Sequence, residues 1–414
     1  MKRSGILAPA GSFECLHAAI QAGADAVYFG VEQLNMRSKS VLGFTTEHIA
    51  EIIQICKRNN VKSFLTLNTI IYNHDIRLAH HIIKEARKCG IDAVIAADYA
   101  VIQLCRKENV SVHISTQANV SNIESVVFHS QFADLIVLSR ELTLRQIADI
   151  TKEIERRNIT GPSGKRLEIE VFVHGALCMA VSGKCYISLH TQNASANRGA
   201  CVQNCRRPYK VIDTENNLEL LVDNEYIMSA KDLCTIDILD QIIKAGVSLL
   251  KIEGRSKSAD YVYTTIKCYR EAVEAINCGS YNLEKANNWK KELNSVYNRG
   301  FWEGYYLGRK FGEWSLQPGN NATQKKIYIG KASKFFPAIQ VAEFTLDAGG
   351  IAIGDKFMIT GPKTGLLQGQ VEELRVGGNA KNEAGKGDLL SFKIAGQKVF
   401  RGDKLYKVLS EENA

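Results

Sequence analysis

Eight short apolar runs punctuate the first two-thirds of the chain: Ile6–Ala8, Ala26–Phe29, Ser63–Leu67, Ala93–Ala96, Val112–Ser115, Leu135–Leu138, Ile169–Val173 and Ser248–Ile252. Gly, Asp, Asn or Ser bounds them, as expected of strands buried on both faces. Amphipathic helical patterns lie between them. Ser12 is placed to cap FECLHAAIQAG and Gly23 to stop it. TEHIAEIIQICKRNN, IRLAHHIIKEARKCG and TLRQIADITKEIERRN read the same way. Eight strands alternating with helices is the count of a closed (β/α)8 barrel of the TIM type. An open doubly wound sheet shares the alternation. No G-x-G-x-x-G follows the first strand, so its dinucleotide-binding form lacks a motif.

A helical stretch over about 259–298 closes this part. From Lys325 the pattern switches to period-two alternation broken by GG, GD and GP turns. The expected organisation is a barrel domain over 1–300 with a cysteine-rich insertion at 170–210, a linker over 301–324 and a small antiparallel β-barrel over 325–414. Such a barrel serves for docking or RNA contact, or packs as a cover on the larger domain.

The insertion carries Cys178, Cys185, Cys201 and Cys205, spaced C-x6-C-x15-C-x3-C. Four soft thiolates suit an iron–sulfur cluster or a zinc ion. Zinc sites favour close C-x2-4-C pairs, and only Cys201–Cys205 comes near that spacing. Iron–sulfur, zinc and unliganded thiols remain the three readings of the spacing. Arg198, Arg206 and Arg207 offset the charge of bound thiolates. Cys15, Cys56, Cys89, Cys105, Cys268 and Cys278 fall singly on helical patterns and read as small apolar residues. Cys234 is a fifth candidate ligand, with burial the favoured reading.

A net charge of +8 over 414 residues fits nucleic-acid contact without requiring it. No apolar run reaches the length of a membrane span, and the start has no signal-peptide pattern. Eleven cysteines without a secretory signal place the chain in a reducing cytoplasm.

In a (β/α)8 barrel, residues just after each strand converge on one mouth. Here they are Pro9 and Gly11; Gly30, Asn35 and Arg37; Asn68; Asp98; Gln117 and Asn119; Ser139, Arg140 and Glu141; His174 and Gly175; Glu253 and Arg255. The set suits a small polar anion, because arginine holds a carboxylate through paired hydrogen bonds. The candidate catalytic residues are His174, Glu253 and Arg255. His174 is either a proton carrier or a histidine satisfied inside the fold. The candidate substrate contacts are Asn68, Gln117, Asn119, Arg140, Glu141, Arg198 and Arg206. No G-x-S-x-G, H-E-x-x-H or Walker loop is present.

EIEVFVHGALCMAVSGKCYIS followed by NRGACVQNCRRPY resembles the signature of peptidase family U32, the collagenase-like proteins. LAPAGSFECLHAAIQAGADAVYFG, HISTQANVSN, LSRELTLRQI and SLLKIEGRSKS extend the resemblance along nearly the whole chain in family order. Length and the single terminal β domain are most similar to its prephenate-dependent tRNA uridine hydroxylases. That resemblance implies a 4Fe–4S cluster on Cys178, Cys185, Cys201 and Cys205. It implies prephenate as co-substrate, the tRNA anticodon loop as substrate and 5-hydroxyuridine at the wobble position as product. A protein partner from the same family is a further implication. Arg140, Arg255, Arg198, Arg206 and Arg207 are then candidates for carboxylates or phosphates, and Tyr28, Phe29 and Tyr186 for a pocket holding an unstacked uridine. A collagenase-like peptidase, or a non-catalytic RNA-binding iron–sulfur subunit, is the alternative.

Overall fold

The structure is a computed structural model describing residues 3–36, 43–209, 212–213, 218–219, 228–308, 313–315, 319–394 and 396–410. The eight expected strands are present as β1 (Gly5–Pro9), β2 (Ala26–Phe29), β3 (Lys62–Leu67), β4 (Ala93–Ala96), β5 (Val112–Ile114), β6 (Leu135–Val137), β7 (Glu168–Gly175) and an eighth, Leu249–Ile252. Each pairs in parallel with its neighbour. The eighth strand pairs with both β1 and β7, which closes the barrel. The open doubly wound alternative is thereby set aside. β7 runs on to Gly175 because His174 and Gly175 also pair, antiparallel, with a short strand Asp232–Cys234.

The helices form where their end signals stand. α1 (Phe13–Gln21) starts at Ser12, whose hydroxyl accepts from the Cys15 N–H at 3.3 Å. Gly23 follows it at φ +87°. α2 (Ile49–Arg58) and α3 (Ile76–Cys89) follow, α3 stopping at left-handed Gly90. After α4 (Tyr99–Lys107) and α5 (Ile123–Ser130), α6 (Leu144–Arg156) opens on a Thr143–Gln146 capping box. The expected 259–298 stretch is two helices, Ala259–Asn277 and Leu283–Asn294. Gly279, at φ +69°, and the Asn282 cap separate them.

Residues 301–324, expected as a linker, add to the barrel domain where they are described. Phe301–Trp302 pairs with Asp232–Cys234, and the buried Tyr306 donates to the Phe172 carbonyl at 2.5 Å. Their aromatic side chains need the burial that the barrel edge supplies. Beyond them an eight-stranded antiparallel sheet encloses its own core, in which Phe344 and Phe357 both contact Phe392. This domain packs on the barrel's flank. Met358 and Leu366 join the barrel core, and Gln21 of α1 bonds Thr364 and Leu366. Among the described residues no helix is long and apolar enough to cross a membrane.

Candidate active site

The cysteine loop leaves the C-terminal end of β7 and is pinned from several sides. Asn119 sits at φ +54° and its amide donates to the Ser182 carbonyl at 3.0 Å. The Gly183 backbone lies against Gln117, where an added Cβ would come within 3.1 Å. Arg198 donates to the Ile70 carbonyl at 2.9 Å and to Asp75 at 2.8 Å, and its guanidinium stacks 3.9 Å from the Tyr72 ring centroid. Arg206 donates to the Leu177 carbonyl at 2.7 Å, to Ser229 Oγ at 3.1 Å and to the Ala230 carbonyl.

The four cysteines are free thiols, Cys178 exposed and the other three half-buried. Burial pushes the Cys205 thiol up; Arg206 opposes this, and the charges of Cys178, Cys201 and Cys185 add to it. The other three sulfurs therefore lie within electrostatic reach of Cys205. Buried oxygens of Asn197 and Asn204 beside them have no hydrogen-bond partner among the described residues. This donor set fits a sulfur-binding metal group. Among the described residues no three His, Cys, Asp or Glu side chains are arranged to hold a metal ion, so the fit is one of donor type. Cys234 lies apart, buried in its strand, with its thiol pushed up to about 11 by burial.

Below the loop the mouth gathers several of the expected residues. Asn68 is buried, donates to Gln117 Oε1 at 3.2 Å and accepts from the Met36 N–H at 3.1 Å. Arg140 stacks 3.8 Å from the Phe172 centroid and donates to the Ala176 carbonyl at 3.1 Å. Arg255 is buried and donates to Asn35 at 2.8 Å, to Thr66 at 2.9 Å and to the Met36 carbonyl. Glu253 is buried beside it, its carbonyl accepting from Tyr261 at 2.9 Å. Gly175, at φ +104°, lets the backbone pass the Glu253 carbonyl, which a Cβ would approach to 2.5 Å. His174 lies among Tyr261, Tyr269 and Phe301, with Nδ1 3.5 Å from the Tyr269 hydroxyl. Burial brings its pKa down to about 3 despite Glu253, so the ring is neutral near pH 7.

Other expected residues lie elsewhere. Asp98 caps α4, Ser139 is buried, and Glu141 and Arg207 are exposed. Arg198 and Arg206 hold the loop. Arg37 lies outside the described residues. Of the proposed aromatic walls, Tyr28 faces the barrel interior, Phe29 packs outward on Phe44, and Tyr186 is 65% exposed.

The residues that strand-end reading missed sit one layer deeper. Lys251 bonds Glu170 at 2.7 Å, both buried. The Lys251 ammonium lies 4.7 Å from the Tyr28 ring centroid and 5.3 Å from that of Phe172. Tyr28 is on β2, which does not neighbour the eighth strand, so this contact crosses the lumen. Burial lowers the Lys251 pKa and raises that of Glu170, and their mutual attraction opposes both shifts. Barrel interiors are ordinarily filled by aliphatic side chains. A charged residue inside an apolar run, as in SLLKIEG or EIEVFV, is the signal that marks them.

The chain is 50% identical to a collagenase of Porphyromonas gingivalis, over 97% of each protein. It is 38% identical to an uncharacterized protease of Methanocaldococcus jannaschii, again over 97% of each. It is 35% identical to a tRNA hydroxylation protein of Bacillus subtilis, over 75% of this chain and 74% of that one. The sequence profile of peptidase family U32 matches residues 11–316, from the first barrel turn through the cysteine loop to beyond Phe301–Trp302, and the chain belongs to that family.

Proposed function

We propose that the protein is a tRNA hydroxylase that forms 5-hydroxyuridine at the wobble position, with prephenate as co-substrate and a 4Fe–4S cluster on Cys178, Cys185, Cys201 and Cys205. The observation that carries this reading is the placement of a four-thiol loop over a barrel mouth that holds Arg140, Lys251 and Arg255 around Tyr28 and Phe172. The name of the Bacillus subtilis relative supports it. A bound cluster would supply electron transfer or a Lewis-acidic iron. The cations would hold the carboxylates of prephenate, while His174, buried among aromatic rings and held neutral, serves packing rather than proton transfer near pH 7. Exposed Tyr72 and Tyr186, with Arg198 stacked on Tyr72, offer faces on which unstacked bases of an anticodon loop can lie. The setting is the cytoplasm, and a second family member is a candidate partner.

The names of the two closer relatives favour a second reading, a collagenase-like peptidase. Against it, the side chains that contact histidine nitrogens among the described residues belong to Thr45, Glu108, Asp75 and Tyr269, and none is a Ser or Cys nucleophile. The deciding experiment is nucleoside analysis of tRNA from a deletion strain carrying either the wild-type gene or a Cys178→Ala/Cys205→Ala variant. Restoration of 5-hydroxyuridine-derived nucleosides by the wild type alone is expected. Unchanged tRNA in the deletion strain, with no second hydroxylation route, would refute the proposal. Iron and sulfide content after anaerobic purification tests the cluster separately.

A further inference from the structure

The barrel interior holds polar atoms that the fold does not use. The Lys251 ammonium has three N–H bonds, and Glu170 Oε1 is its one hydrogen-bond acceptor among the described residues. Glu170 Oε2 and Arg140 Nε are buried and have no partner there. Buried charges of this kind are costly unless paired and hydrogen-bonded, so a lysine kept in a barrel lumen points to a ligand.

The geometry defines the ligand class. Phe172 has two cations near its ring, with Arg140 at 3.8 Å and Lys251 at 5.3 Å from the centroid. Those distances laid end to end bound the separation of the two cations, a span that a small dicarboxylate covers. Tyr28 relates Lys251 to Arg255 in the same way, at 4.7 and 5.8 Å. Unspent N–H bonds on Lys251 and Arg140 call for an anion, and the two rings form apolar walls for its carbon frame.

We propose that Lys251 receives one carboxylate of a small organic dianion at the floor of the barrel mouth, while Arg140 receives the other and Glu170 positions Lys251. This rests on the dicarboxylate co-substrate of the reading above and adds residues to it. Binding exchanges ordered water for carboxylate oxygens and makes or breaks no covalent bond. Glu170 acts through Lys251 as a positioning residue.

The test uses the full-length protein and calorimetric titration with prephenate, with phenylpyruvate as the monocarboxylate comparator. The wild type is expected to bind prephenate more tightly than phenylpyruvate. Arg140→Gln should abolish that preference. Lys251→Met/Glu170→Gln, which removes both buried charges and avoids stranding one, should fold and bind prephenate at least about thirtyfold more weakly. Glu170→Gln alone should lose prephenate binding at a lower pH than the wild type, because a lysine without its carboxylate neighbour deprotonates earlier. A purely structural pair would not move that pH profile.

Prephenate binding unchanged in the folded double variant would overturn the proposal, as would no binding by the wild type. The same variants, scored for tRNA hydroxylation in the deletion strain, separate the two readings. Lys251-dependent binding without tRNA hydroxylation sinks the tRNA reading and keeps the subsite. Hydroxylation that is indifferent to Lys251 sinks the subsite and keeps the tRNA reading.

Discussion

Arg206 donates to the Leu177 carbonyl at 2.7 Å and so ties the two ends of the cysteine loop together. Leu177 immediately precedes Cys178, and Arg206 immediately follows Cys205. The residues that flank the first and last cysteines are joined by a guanidinium rather than by a regular element. Arg206→Met removes this clamp and leaves carbonyls unsatisfied. A loss of about 3 kcal/mol is expected from charged hydrogen bonds of this kind. Thermal unfolding and proteolysis within the loop measure it, and iron retention should fall in parallel.

Asp75 carries the other anchor. Burial alone would raise its pKa, but the Arg198 hydrogen bond and the Tyr72 N–H outweigh that and hold it below the usual carboxylate range. A lowered folded pKa stabilises above the unfolded value and is lost as pH falls through the folded value. The loop anchor should therefore persist at neutral pH, begin to weaken only below about pH 4 and fail as pH passes through the still lower folded value. Protease sensitivity of the loop against pH follows this, and Asp75→Asn should show the loosened state at every pH.

His174 and His113 respond to acid at higher pH. Burial lowers both to about 3, with Glu253 opposing at His174 and Lys251 adding to the effect at His113. Below the unfolded value of about 6.5 the unfolded chain takes up protons that the folded chain does not. Stability should therefore decline from about pH 6.5 towards pH 3, at up to about 2.7 kcal/mol per pH unit for the two together. Denaturant midpoints against pH measure the slope, and His113→Phe should roughly halve it. An unchanged slope would show that His113 titrates normally.

Gly30 is fixed by what lies beside it. A Cβ there would stand 2.4 Å from Asn35 Cγ and 2.6 Å from Arg255 Nη1. Gly30→Ala should displace Arg255 and cost about 1–3 kcal/mol, as overpacking does. Weaker binding of anions in the mouth should accompany the loss of stability. Wild-type anion affinity in a folded Gly30→Ala protein would show that Arg255 lies outside the binding surface.

Strand and helix positions were readable because they are local. β2 and β4 coincide with their apolar runs, and α1 begins at the Ser12 cap. The rim was readable only as a set of positions. Sequence order puts Arg140 and Arg198 on equal terms as arginines of the mouth. Packing sends Arg140 onto Phe172 and commits Arg198 to Asp75. Asn119 reads as a substrate contact, yet its left-handed backbone and its bond to Ser182 shape the loop. Lys251 and Glu170 lie inside apolar runs, where strand-end reading does not look.

The sequence by itself determined the barrel, because a strand's burial and a helix's caps depend on residues a few positions apart. It also determined the thiol donor set, because soft ligands are a matter of residue type. Tertiary structure decided which charges are spent on the fold and which remain for a ligand. Lys251 meets Tyr28 across the lumen from a position more than two hundred residues away, and no local pattern encodes that meeting. Only closure of the eighth strand onto β1 and β7 brings those side chains into one desolvated space.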